Sequence, residues 1–176
     1  MMLRMEPLVV VDVETTGLSA QRGHRIIEVG AVLLERGEIA AEFGSFIDPG
    51  RPVSPQAQQV HGISDEMLRG QPPLEEVMQD FRGFIGGYAL VAHNAPFDLG
   101  FLRTEFARLG FGLVNRCHCT LQLSRRALPS LPNHRLETVA RHLFGGLPAD
   151  GQLHRALADA RLTARVWLAL NGEHKT

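Results

Sequence analysis

The chain has 176 residues, of which 44% are hydrophobic and 21% charged, and its formal net charge is −1. This length is typical of one domain with a single core, and no apolar run approaches the ~20 residues that span a bilayer. The near-neutral charge argues against a protein that coats nucleic acid, and two cysteines cannot form a disulfide framework. The N-terminal residues hold no apolar signal segment, so we expect a cytoplasmic protein.

Three strands are predicted in the first part of the chain. Residues 8–14 form a nearly continuous apolar stretch, which is typical of a strand buried on both faces. Residues 25–35 and 37–47 predict two further strands, and Arg36 with Gly37 predicts the hairpin turn between them. We therefore expect the second and third strands to be neighbours in a sheet.

Helices dominate the rest of the chain, with one short strand predicted at residues 89–92. The helices are predicted at residues 54–60, 74–85, 96–109, 120–127, 136–144 and 156–170. Pro55 suits a first helical turn, whereas Gly86 and Gly110 suit helix ends. Strands followed by helices predict a mixed α/β sheet with helices on its faces. No repeat or linker divides the sequence, so we expect one domain over residues 1–176, with its core at about 7–171.

Two carboxylates interrupt the most apolar strand. Asp12 and Glu14 are two residues apart, so they face the same side of the strand at a spacing of roughly 7 Å. Two like charges beside a buried strand repel each other and resist desolvation. A divalent cation removes this difficulty. The alternative is that the strand ends here and that both side chains reach water.

A third carboxylate lies on the apolar stripe of the last predicted helix. At ~100° per residue, one stripe of this helix holds Ala156, Asp159, Thr163, Val166 and Leu170. The stripe is expected to face the core, where an unpaired carboxylate is costly. Asp98 is a weaker candidate, because acidic residues are common in the first turn of a helix.

His154 precedes Asp159 by five residues, which corresponds to ~140° on one helix. The two side chains can therefore face one site only if His154 lies in a loop before the helix. Gly151 and the polar residues at 150–152 favour such a loop.

Three short motifs place these residues together in a family pattern. The segments are Asp12-Val13-Glu14-Thr15-Thr16-Gly17-Leu18, His93-Asn94-Ala95-Pro96-Phe97-Asp98 and His154-Arg155-Ala156-Leu157-Ala158-Asp159-Ala160. In order and spacing they resemble the DEDD exonuclease family, in its histidine subclass. The similarity covers essentially the whole chain, and the sequence looks most like the proofreading exonuclease subunits of bacterial DNA polymerase III. The resemblance implies an α/β, ribonuclease H-like fold, in which helices flank a five-stranded mixed sheet.

The resemblance also implies a role for each catalytic residue. Two divalent cations, Mg²⁺ or Mn²⁺, would be held by Asp12, Glu14, Asp98 and Asp159, since oxygen ligands suit such hard ions. The cations would stabilise the attacking and leaving oxygens of an in-line displacement. His154 would act as general base, for which a histidine pKa near 6.5 is suitable. The reaction would hydrolyse the last phosphodiester at a DNA 3′ end and release a nucleoside 5′-monophosphate.

A second set of residues is implied to hold the terminal nucleotide, and its members are Thr15, Thr16, Gly17, Leu18, His61, Asn94 and Phe97. Gly17 lets the backbone approach closely, and Leu18 is placed to wedge against a base. Structural alternatives stay open for all seven. They are a strand-ending turn for residues 15–18, a turn residue for His61, a helix cap for Asn94 and core packing for Phe97.

Substrate and partners follow from the same resemblance and from the small loop at residues 15–18. That loop has room for one strand, so we expect single-stranded or frayed 3′ ends to be preferred over paired ends. Proofreading or repair is the implied role, with a DNA polymerase subunit as a partner, and we expect a monomer without membrane contact. Two alternatives stay open: an exoribonuclease that trims RNA 3′ ends, and a catalytically silent nucleic-acid-binding module.

Overall fold

The computed structural model describes residues 6–147 and 154–172 of the protein. Five strands form one mixed sheet in the order β3-β2-β1-β4-β5. The strands are β1 (Leu8–Thr15), β2 (Ile26–Glu35), β3 (Glu38–Phe46), β4 (Ala89–Ala92) and β5 (Cys117–Cys119). The pairs β1/β2 and β2/β3 are antiparallel, whereas β4 is parallel to both β1 and β5. This α/β architecture confirms the predicted five-stranded, ribonuclease H-like sheet.

Helices occupy most of the chain after β3. They are α1 (Pro55–His61), α2 (Asp65–Leu68), α3 (Leu74–Ile85), α4 (Ala95–Arg108), α5 (Thr120–Ala127), α6 (Leu136–Phe144) and α7 (Ala156–Leu170). Six of the seven lie within one residue of the predicted bounds. Within residues 6–147 and 154–172, no helix is both long and apolar enough to cross a membrane.

Within the described part of the chain, the elements that were not predicted are the shortest ones. The helix α2, the strand β5 and the 3-10 turn Ala20–Arg22 have three or four residues each, too few to show a hydrophobic period. The predicted hairpin turn is confirmed: Arg36 and Gly37 join β2 to β3, and both have positive φ, as a two-residue hairpin turn requires. The loop residues predicted at 150–152 lie outside the described part of the chain.

Strand β1 presents different chemistry on its two faces because successive side chains alternate. Val9, Val11 and Val13 point into the main core, which also contains Met78 of α3 and Phe106 of α4. The opposite face of β1 packs on α7 through a smaller cluster that includes Leu8, Val10 and Ala164. Asp12 and Glu14 continue this second face in sequence. The fold therefore directs both carboxylates towards α7.

Helix α7 approaches the sheet at a glycine. Gly30 of β2 pairs with Asp12 of β1, and a Cβ built on Gly30 would lie 2.1 Å from the backbone nitrogen of Leu157 and 2.2 Å from the carbonyl carbon of Ala156. No side chain fits there, because real Cβ atoms essentially never come within 3.0 Å of other atoms. The first turn of α7 thus lies directly on the strand beside Asp12.

Candidate active site

Carboxylates from three elements meet at the end of β1 that faces α7. Asp12 and Glu14 come from β1, Asp98 from the first turn of α4, and Asp159 from the first turn of α7. Ligand atoms of Glu14, Asp159 and His154 all lie within 4.8 Å of one another. The fold therefore brings together Glu14 and Asp159, which are 145 positions apart in sequence (159 − 14).

Asp98 is positioned by the backbone of β1. Strand β4 pairs with β1 only along Leu8, Val9 and Val10. Further along β1, the amide of Val13 donates to Oδ1 of Asp98 at 3.1 Å. The Asp98 side chain is 3% exposed, so its carboxyl group extends the buried acidic cluster beside Asp12.

Asp159 has one satisfied and one unsatisfied carboxyl oxygen. The amide of His154 donates to Oδ2 at 3.0 Å, whereas Oδ1 is buried and has no hydrogen-bond partner among the described residues. A buried carboxylate oxygen without a partner is costly. Such an oxygen beside three further carboxyl groups fits a hard divalent cation, since these ions take oxygen ligands.

The raised pKa values of the four carboxyl groups also indicate a cation site. Desolvation raises the pKa of Asp12 well above its usual range, that of Glu14 to about 8, that of Asp98 to about 8 and that of Asp159 to about 6. Repulsion between them is the next contribution for Asp12 and Glu14. A group of carboxyls that resists ionisation without a counter-charge is what a cation site requires.

His154 lies in a turn immediately before α7, so the expectation that it precedes the helix is confirmed. Its backbone has a φ of 62°, a conformation that few residues other than glycine adopt. The side chain is 47% exposed, and Nε2 lies 3.5 Å from Oε1 of Glu137 in the first turn of α6. The imidazole therefore sits at the rim of the acidic cluster and within reach of solvent.

The segment after β1 is held rigidly by the protein. The Thr15 hydroxyl donates to the carbonyl of Gly17 at 2.7 Å, and the Thr16 hydroxyl accepts from the amide of Arg25 at 3.0 Å. A Cβ on Gly17 would lie 2.3 Å from the ring of His24, so a side chain at this position would displace that ring from its contact with the Thr16 hydroxyl. Both threonine hydroxyls face inwards, and the next side chain along, Leu18, is 86% exposed.

His61 is buried and bound on both sides. The amide of Ile63 donates to Nδ1 at 3.0 Å, which leaves the proton on Nε2 to be donated to the carbonyl of Thr15 at 3.2 Å. Burial lowers the pKa of His61, which favours this neutral form. Both ring nitrogens are thus hydrogen-bonded to backbone groups, and through the Thr15 carbonyl His61 holds the C-terminal end of β1 in place.

Asn94 and Phe97 flank Asp98 at the start of α4. Asn94 occupies the N-cap position of α4, as the structural alternative expected, with a φ of 72°, but its side chain makes no capping hydrogen bond. Its side chain is exposed. Phe97 is half-buried and packs on Phe101, with ring centroids 5.1 Å apart.

Three residues beside the site were not singled out from the sequence: Glu28, Glu137 and Arg155. Glu28 could have been identified in the same way as Asp12, because it is a carboxylate inside the apolar strand β2. In the structure it is 6% exposed. Glu137 and Arg155 give no such signal, since charged residues in helix first turns and loops are ordinary. Only the fold shows that they reach His154 and Glu28.

Comparison with known proteins agrees with this geometry. The family model of the RNase T family, described as an exonuclease, matches residues 9–167. The PolC-type DNA polymerase III of Halalkalibacterium halodurans is 45% identical over 159 residues, which are 90% of this chain and 11% of that protein. The DNA polymerase III epsilon subunit of Pasteurella multocida is 40% identical over 173 residues, which are 93% of this chain and 68% of that subunit.

One solved structure shares both fold and sequence. Exonuclease X, determined in complex with 5′ overhanging duplex DNA, has a TM-score of 0.75 and 29% identity, and the similarity covers 94% of this chain and 91% of that one. The chain spans only 11% of the PolC-type relative but two thirds of the epsilon subunit. From the family match, the identities and the fold, the chain belongs to the RNase T family of 3′–5′ exonucleases, which are hydrolases.

Proposed function

We propose that the chain is a divalent-cation-dependent 3′–5′ exonuclease that hydrolyses the terminal phosphodiester of DNA and releases nucleoside 5′-monophosphates. Single-stranded or frayed 3′ ends are its preferred substrates, and proofreading or repair is its role. One observation carries the proposal: four carboxyl groups converge on a buried cluster in which Oδ1 of Asp159 has no partner among the described residues.

The proposed ligands are Asp12, Glu14, Asp98 and Asp159, which would hold two Mg²⁺ or Mn²⁺ ions. When bound, such ions supply Lewis-acid stabilisation of the negative charge that develops on the phosphate. The protein contributes the placement of the ligands. Asp98 is fixed by the amide of Val13 and Asp159 by the amide of His154, so both carboxyls are oriented before a cation arrives.

His154 is the proposed general base. Its imidazole lies at the rim of the cluster and is 47% exposed, so the attacking water can reach it and transfer a proton to it.

The proposed nucleotide-binding surface lies beside the rigid end of β1. Leu18 is 86% exposed and is the proposed contact to the terminal base, while the exposed Asn94 and the half-buried Phe97 face the nucleotide from the start of α4. Thr15, Thr16, Gly17 and His61 contribute by holding this surface in shape. Because the short loop at residues 15–18 forms this surface, a single DNA strand should fit it better than a paired 3′ end.

Nuclease assays on matched oligonucleotides test the proposal. The native protein is incubated with 5′-labelled single-stranded, 3′-mismatched and fully paired DNA of one sequence, and with the equivalent single-stranded RNA, in chelator and then in Mg²⁺ or Mn²⁺. We expect stepwise shortening from the 3′ end, cation dependence, and rates that fall from single-stranded through mismatched to paired DNA. Faster cleavage of RNA would assign the chain to RNA trimming, and no cleavage with any cation would make it a silent binding module.

The partner is proposed from the relatives. Both named relatives are DNA polymerase III proteins, one the epsilon subunit and one a PolC-type polymerase. We propose that this chain likewise acts on 3′ ends delivered by a DNA polymerase. Co-purification with the replicative polymerase and faster removal of a mismatched primer end in its presence are the expected results.

A further inference from the structure

A fifth carboxylate lies against the proposed cation site without belonging to the ligand set. Glu28 of β2 is directly opposite Glu14 in the β1–β2 ladder, and its side chain is 6% exposed. Its charge is among those that raise the pKa of Asp12, Glu14 and Asp159. By chemistry, burial and position Glu28 could bind a cation as readily as Glu14.

Arg155 occupies both carboxyl oxygens of Glu28. Its Nε lies 3.1 Å from Oε1 and 3.2 Å from Oε2, and its Nη2 lies 3.0 Å from Oε1. The guanidinium also stacks on the ring of Phe46, 4.7 Å from the centroid. The amide of Ala156 donates to Oε2 of Glu28 at 3.2 Å, so the same carboxylate caps the first turn of α7.

Arg155 lies within the segment that carries the proposed catalytic groups. Arg155 follows His154, and Ala156 begins the helix that carries Asp159. The amide of His154 is itself bound to Asp159, so the turn and the first helical turn form one hydrogen-bonded unit. Through Glu28 this unit is bonded to strand β2 of the sheet.

We propose that Arg155 and Glu28 are positioning residues for the cation site: their ion pair fixes the His154–Asp159 turn against β1 and keeps Glu28 from binding the catalytic cations. The inference rests on the proposed function and deepens it. With the pair intact, the four ligand carboxylates carry the charge that two divalent ions neutralise, and Glu28 with Arg155 adds no net charge. Without Arg155, Glu28 becomes an additional buried anion beside Glu14.

The test uses opposite changes of charge at the same pair. Arg155→Ala leaves Glu28 unpaired, so Mn²⁺ should bind the metal-free protein about tenfold more tightly. Glu28→Gln keeps an acceptor for the amide of Ala156 but leaves Arg155 unpaired, so Mn²⁺ should bind about tenfold more weakly. In the double variant both charges are gone, and the Mn²⁺ dissociation constant should return to within about threefold of the native value. Isothermal titration calorimetry measures all three.

Turnover provides the second readout. Each variant should lower kcat on a single-stranded oligonucleotide by about 10–100-fold, the usual effect of losing a group that orients ligands, with little change in KM. The double variant should be no worse than the more affected single variant, because the two residues act through one another. Arg161→Ala is the matched control, since Arg161 pairs with Glu42 and links α7 to β3 at the surface. It should leave Mn²⁺ affinity and kcat unchanged.

The proposal is overturned if Arg155→Ala and Glu28→Gln shift Mn²⁺ affinity in the same direction, or if both retain native kcat. If circular dichroism shows that Arg155→Ala does not fold, Glu28→Gln tests the proposal alone, because it preserves side-chain shape. Native Mn²⁺ affinity and native kcat in Glu28→Gln would then overturn the proposal. Failure of the proposed function has a different signature: the native protein would cleave nothing, whereas the opposite shifts in Mn²⁺ affinity would persist.

Discussion

The single residue Asp159 supports the proposed cation site, because one of its carboxyl oxygens is bound and the other is buried without a partner among the described residues. In Asp159→Asn, the side-chain amide oxygen can take the place of Oδ2 as acceptor for the amide of His154, while the charge is lost. We expect kcat to fall by more than about 100-fold, since even groups that only orient a ligand contribute 10–100-fold. Mn²⁺ affinity should fall as well, and the metal-free protein should unfold at a higher temperature because a buried repulsive charge is gone.

The exposed carboxylate of Asp80 on α3 provides the control for this change. Asp80→Asn should alter neither turnover nor Mn²⁺ binding, because surface substitutions away from a site have small effects. Retention of more than a tenth of native turnover by Asp159→Asn would show that Asp159 is not a ligand.

His154 lies close enough to Glu14 and Asp159 to be either a base or a cation ligand, and one variant separates the two roles. As a general base it contributes about 10²–10⁴-fold to kcat. His154→Ala should therefore lose that factor while binding Mn²⁺ with native affinity in calorimetry. A large loss of Mn²⁺ affinity would instead make His154 a ligand.

The raised pKa values of Glu14 and Asp98, both about 8, predict that cation binding releases protons. At pH 7 these carboxyls hold protons in the metal-free protein, and a cation needs them ionised. A carboxyl whose folded pKa exceeds its unfolded value stabilises the fold at low pH, and this stability is lost as pH rises towards 8. Mn²⁺ should therefore bind more weakly at pH 6 than at pH 8, and the heat of binding should depend on the ionisation enthalpy of the buffer.

At the scale of elements, the contact between α7 and β2 depends on the absence of a side chain at Gly30. In Gly30→Ala the new methyl group would meet the backbone of Ala156 and Leu157, so the first turn of α7 must shift away from β1. We expect a loss of about 1–3 kcal/mol in the free energy of unfolding, the usual effect of overpacking. A shift of the order of 1 Å should lower kcat by about 100-fold.

A second glycine offers the matched comparison for this prediction. Gly83 lies inside α3, and a Cβ there has no atom within 4 Å. Gly83→Ala should raise the free energy of unfolding by about 0.5–1 kcal/mol through helix propensity and leave kcat unchanged. Urea denaturation and oligonucleotide hydrolysis measure both variants, and equal effects of the two substitutions would contradict the close approach at Gly30.

For the whole molecule, the cluster predicts that stability depends on cations. A ligand at 100 times its dissociation constant stabilises the folded state by about 2.7 kcal/mol, and each kcal/mol corresponds to roughly 2–4 °C for a chain of this size. Saturating Mg²⁺ or Mn²⁺ should therefore raise Tm by roughly 5–10 °C over the value in chelator. A Tm unaffected by cations in the native protein, measured by calorimetry, would argue against a cation site.

The sequence predicted the parts of the molecule that have a local signature. Asp12, Glu14 and Asp159 were identifiable because each places a charge on an apolar surface. His61 was assigned to the nucleotide surface, but its partner is the carbonyl of Thr15, 46 residues away. Pairing of Arg155 with Glu28 spans 127 residues. Side-chain contacts across such distances depend on the packing of the whole fold, and no local pattern encodes them.

The connection of α7 to β1 has a consequence for synthesis of the protein. Asp12 and Glu14 are made early, and Asp159 is made only after the entire sheet. A growing chain can thus form all five strands while still lacking one of its four proposed ligands. The proposed nuclease activity is therefore expected to appear only after helix α7 has been made and has packed on β1.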